Sequence, residues 1–128
     1  MKILAVEVKG YIGSLRLDHS LFDIKNKTTK GYRLPSARQK NDLLIDCRTL
    51  ISKDEIGKIM YDEATLAKGS SSNSCNSIGI RIWVIVNDDD DVDSMVTKYC
   101  GIMKDRALEI VMERLAMLKE LNLQIKDL

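Results

Sequence analysis

The last third of this chain most constrains what it can fold into. Read at about 100° per residue, Ala107, Leu108, Ile110, Val111, Met112, Leu115, Ala116, Met117, Leu118, Leu121, Leu123 and Ile125 spread over most of a helix circumference. The clearly polar sector, Glu109, Glu113, Glu120 and Gln124, is narrow, and Arg114, Lys119, Asn122 and Lys126 interrupt the rest. A helix lying on one sheet needs an apolar stripe a little over ~100° wide, and this one offers roughly twice that. Each large side chain left in water forgoes roughly 1.5–3 kcal/mol, and several together form an aggregation-prone patch. A second covering surface is therefore expected. Leu108, Val111, Leu115, Leu118 and Ile125 have the alternating three-and-four spacing of a helix–helix seam, with Asn122 as a polar interruption. The favoured expectation is a homo-oligomer, most simply a homodimer, formed through these five residues. The competing expectations are that the chain's own N-terminal hairpin wraps the helix, or that a different protein docks there. Gly101, early in the helix, marks a kink or a close packing contact.

Upstream, the pattern is that of an α+β domain occupying residues 1–128. Residues 2–9 alternate as a strand, and residues 12–22 place Leu15, Leu17 and Leu21 on one side with His19. Gly10 and Gly13 between them point to a β-hairpin. Residues 25–41 read as a basic surface loop, 42–48 as a short strand and 69–77 as a Ser/Asn-rich loop. Ser52 with Glu55 forms a capping box, Ile51 and Ile56 occupy staple positions, and Lys68–Gly69 supplies a stop, so a medium helix is expected over 53–68. Ile78, Ile80, Ile82, Val84 and Val86 line one face of the strongest strand, while Trp83 and Ile85 make the other partly apolar, as in an interior strand. If 42–48 and 78–86 share a sheet, the connection implies a right-handed crossover and a parallel pair. The expected architecture is a small mixed or antiparallel sheet, made of the hairpin plus two further strands. It packs with the medium helix and a long C-terminal helix over 92–125.

Composition limits the functional classes. A net charge of +1 gives no global attraction for nucleic acid or anionic membrane. No run approaches the ~18 apolar residues of a membrane span. Glu7 and Lys9 interrupt the apolar start, unlike a signal peptide, so a cytoplasmic location without membrane contact is expected. Cys47, Cys75 and Cys100 are odd in number and widely spaced, as for reduced thiols.

Three groups of residues carry candidate chemistry. Asp88, Asp89, Asp90, Asp91 and Asp93 precede the long helix. They suit capping of its free N–H groups, with an acidic protein-facing patch or a divalent-metal enzyme as the sharper alternatives. Lys25, Lys27, Lys30, Arg33, Arg38 and Lys40 fall within 16 residues without an acid, around Tyr32. This loop could contact phosphates while Tyr32 stacks on a base, the alternative reading of the chain as a nucleic-acid-binding module. His19 is the single histidine and sits on the apolar side of a strand. No catalytic, metal or cofactor set is expected. The reading that follows is a non-enzymatic interaction or regulatory protein that binds through its surface. A regulator or inhibitor carried by a phage or plasmid would fit this size and pattern.

Overall fold

A computed structural model describes residues 1–34, 50–61 and 77–128. Among these residues the chain forms two antiparallel sheets and one long helix. Strands β1 (Lys2–Tyr11) and β2 (Ser14–Asp23) make the expected hairpin, paired from Lys2↔Asp23 to Tyr11↔Ser14 around Ile12–Gly13. Gly10 explains why the hairpin closes so tightly. Its φ is 138°, and a Cβ there would sit 2.1 Å from the Ser14 carbonyl oxygen. Strand β7 (Ser77–Val86) pairs antiparallel with the other edge of β1, and β6 (Met60–Tyr61) flanks β7, giving the order β2-β1-β7-β6. A second sheet, β3-β4-β5, consists of Asn26–Lys27, Gly31–Arg33 and Leu50–Ser52.

Period-two alternation gives the larger sheet two apolar faces. Leu4, Val6 and Val8 of β1 join Ile78, Ile80, Ile82, Val84 and Val86 of β7 beneath the helix. Ile3 and Ala5, with Phe22 and Trp83, meet Leu34 and Ile51 from the second sheet's side. The Phe22 and Trp83 rings are 6.3 Å apart and tilted.

The expected helix over 53–68 is not formed where the structure describes it. Ser52 does accept a hydrogen bond from the Asp54 N–H (3.2 Å), but only one 3-10 turn, Lys53–Glu55, follows. Ile56 is already extended and bridges to Trp83, the Gly57 N–H donates to the Trp83 carbonyl (2.7 Å), and Gly57 has a φ of 77°. The free edge of β7 explains the change. Its buried backbone groups need partners, and Ile56 to Tyr61 supply them, overriding the local helical signals. Both staple residues instead enter the core beside Trp83. The proposed strand 42–48, and with it the parallel crossover, lies outside the described residues. Both described neighbours of β7 in the sheet are antiparallel to it.

The long helix, α1 (Val92–Lys126), begins where the acidic run caps it. Gly101 lies on its exposed side, with nothing within 4 Å of the position a Cβ would take. It therefore serves no close packing contact. Gly101→Ala should raise stability by about 0.5–1 kcal/mol, the usual helix-interior difference, measured by denaturant unfolding.

Candidate interaction surface

Length sets the geometry of this surface. The ten residues of β7 extend for about 33 Å, and a helix covers that distance in about 22 residues. α1 has 35. Its packed stripe, Val92, Met95, Val96, Tyr99, Cys100, Met103, Ala107 and Ile110, lies on β1 and β7. Arg114 reaches the carbonyl of Ser77, the first residue of β7, and so marks the end of the sheet. From Leu115 onward every residue is exposed. Three turns of helix, about 18 Å long, run past the end of the described sheet. Arg106 holds the preceding stretch, donating to the Tyr61 hydroxyl (3.0 Å), Glu109 (2.9 Å) and Glu113 (3.2 Å).

All five seam residues lie on exposed surface: Leu108 at 63%, Val111 and Leu115 at 44%, Leu118 at 45% and Ile125 at 56%. The hairpin does not wrap them. α1 rides over β1 and β7, so Leu15, Leu17 and Leu21 on the helix side of β2 are themselves exposed. Between β2 and α1 lies an apolar groove of about 440 Å³, lined by Val8, Leu15, Leu17, Ile78, Ala107, Leu108 and Val111, with Arg16 and Lys104. Sequence reading found the helical half of this surface but missed the strand half. The leucine alternation of β2 was visible, whereas the off-centre seating of the helix was not.

Part of the acidic run has a structural task. Asp91 caps α1, accepting from the N–H groups of Asp93 (3.1 Å) and Ser94 (3.4 Å) and from the Ser94 hydroxyl (2.9 Å). These bonds hold its carboxyl below the ordinary value of 3.8. Asp90 accepts from the Asn87 N–H, and Asp88 pairs with the Met1 amino group, whose hydrogen bond and charge lower its pKa too. Among the described residues, no group of three or more His, Cys, Asp or Glu side chains is placed to hold a metal ion. Cys100 packs against the core beneath α1, and burial pushes its thiol pKa up, with Lys104 opposing. His19 is exposed across from Val6.

Of the basic loop, Lys25, Lys27, Lys30 and Arg33 are exposed, while Tyr32 is half-buried against the Trp83 cluster with Lys27 5.9 Å from its ring. That placement gives Tyr32 a packing role and leaves less of its ring for a base. Arg38, Lys40, Cys47 and Cys75 lie outside the described residues.

One feature escaped sequence reading altogether. On the sheet face away from α1, the fully buried Glu7 lies opposite Arg81, which is 8% exposed, and on its other side opposite Asp18. Each charge was visible inside an apolar strand, but only the strand register brings them face to face.

The chain matches no protein-family model, no curated protein and no solved structure. Among the described residues no helix is long and apolar enough to cross a membrane.

Two outcomes follow. Glu7→Ala removes one fully buried charged group from this part of the sheet and should cost about 3–5 kcal/mol in denaturant unfolding. Asp91 has a depressed folded pKa, so its contribution is present above the unfolded carboxylate range and is lost as pH falls through the lower folded value. Thermal unfolding midpoints should therefore fall on acidification below about pH 4. Asp91→Asn, which keeps a capping oxygen but does not titrate, should show a smaller drop.

Proposed function

We propose that this chain is a non-enzymatic interaction protein that works as a homodimer, with the C-terminal helix as its docking element. The observation that carries this reading is the overhang. Twelve helical residues, Leu115 to Lys126, are all exposed and pack into neither core cluster of the described residues, yet they include Leu115, Met117, Leu118, Leu121, Leu123 and Ile125. Apolar side chains of this size bury roughly 60–120 Å² each. Taken with Leu108, Val111, Met112 and the hairpin residues Ile12, Leu15, Leu17 and Leu21, each 37–83% exposed, the exposed apolar surface is on the order of 400–900 Å². A standard protein interface takes about 800 Å² from each partner, whereas the largest patch on a monomer is about 300–600 Å².

A second copy is the favoured occupant because one chain supplies both a projecting apolar rod and, beside its base, an apolar groove. A two-fold pair uses both on each copy. Binding is supported further by the acidic run, whose Asp91 caps the helix and whose Asp90 and Asp88 accept from the Asn87 N–H and the Met1 amino group. Regulation or inhibition through such a surface remains the role this architecture suits.

Light scattering should give twice the chain mass of 14.5 kDa. Leu115→Glu should give a single-chain mass, with the emission of the buried Trp83 unchanged because Leu115 is outside the core. A parent protein that stays monomeric through the micromolar range would refute the assignment.

A further inference from the structure

We infer that the two copies pair with their C-terminal helices antiparallel, and that each overhang fills the other copy's groove against Leu15 and Leu17. This rests on the homodimer reading and deepens it. Two observations, which share Leu108 and Val111, are met by one register. The first is the seam. An antiparallel two-fold between Leu115 and Leu118 sets Leu108 beside Ile125 of the second copy and Leu115 beside Leu118, with Val111 beside the polar interruption Asn122. The second is the groove, which is bounded on the helix by Ala107, Leu108 and Val111. The same two-fold carries the second copy's residues 122–126 to that level, so the end of one rod arrives where the other copy's cavity lies.

The sideways geometry also fits. Packed helices lie 8–10 Å apart, about two strand spacings of ~4.8 Å. Since α1 rides on β1 and β7, a second helix on the seam side stands over β2. The helix turns by about 100° per residue. Met117 and Leu121 therefore continue the stripe that packs the sheet through Met103 and Ile110, while the seam lies about a quarter-turn away. With seams facing each other, the second copy's Met117 and Leu121 point down towards the hairpin side of β2. The sheets do not collide. Each ends at the level of its own Arg114, and the two ends are separated by about five residues of helix, roughly 7–8 Å of rise. The hairpin tips, with Ile12 83% exposed, face each other across that gap.

The test is disulfide trapping in the full chain with Cys47→Ser, Cys75→Ser and Cys100→Ala. An equimolar mixture of Leu108→Cys and Ile125→Cys chains should oxidise to a linked dimer, and neither should link to itself. In the otherwise unaltered protein, Leu17→Asp should weaken dimerisation at least about tenfold, since the exposed Leu17 serves only the groove. A dimer in which either single variant links to itself, the mixture fails to link, or Leu17→Asp associates like its parent overturns this arrangement and leaves the homodimer standing. A monomeric parent overturns both.

Discussion

The fold depends on β1 being paired along both edges for all ten of its residues, with β2 on one side and β7 on the other. A strand so placed has its backbone groups paired along its length, and because both its faces carry apolar side chains, both are covered. The α1 helix covers one face, and the small second sheet covers the Ile3–Ala5 end of the other. This double demand explains why Leu4, Val6 and Val8 alternate with residues that are also buried. Glu7 and Arg81, two buried charges, lie across from each other in the register on that second face. Buried ionic groups gain little net stability over well-packed apolar ones. Their effect here is to penalise register slips, because a one-residue shift would turn Glu7 towards the underside of α1.

Strand length then limits what the helix can bury. The sheet supports α1 only as far as Arg114, and the remaining turns extend beyond it with Leu115, Met117, Leu118, Leu121, Leu123 and Ile125 set among a few polar residues. The helix is also seated off-centre, above β1 and β7, which leaves the β2 leucines uncovered. Together these two mismatches, one along the helix and one across it, produce a rod and a groove of the same chemical character on a single chain.

The sequence disclosed those features that depend on local periodicity. Alternation in 2–9 and 78–86 gave the interior strands, and the acidic run gave the start of α1. What it could not disclose depends on pairing between distant segments. The 53–68 region carries a capping box, a staple and a C-terminal glycine, all local helix signals, yet Ile56 to Tyr61 serve the edge of β7. The Glu7–Arg81 opposition joins residues more than seventy positions apart and needs the register of two ladders. The apolar excess of α1 was legible because it is a property of one helix. The groove was not, because it exists only once the helix has chosen which strands to lie on.

The overhang has a consequence for how this helix melts. Its first turns are anchored by the sheet, but a twelve-residue helix without tertiary support is marginal in water. In a lone subunit, therefore, the distal amides would be protected only by their own ladder and would exchange with solvent long before the proximal ones. On the proposed pairing, order in the last three turns would report how crowded the chain is with copies of itself.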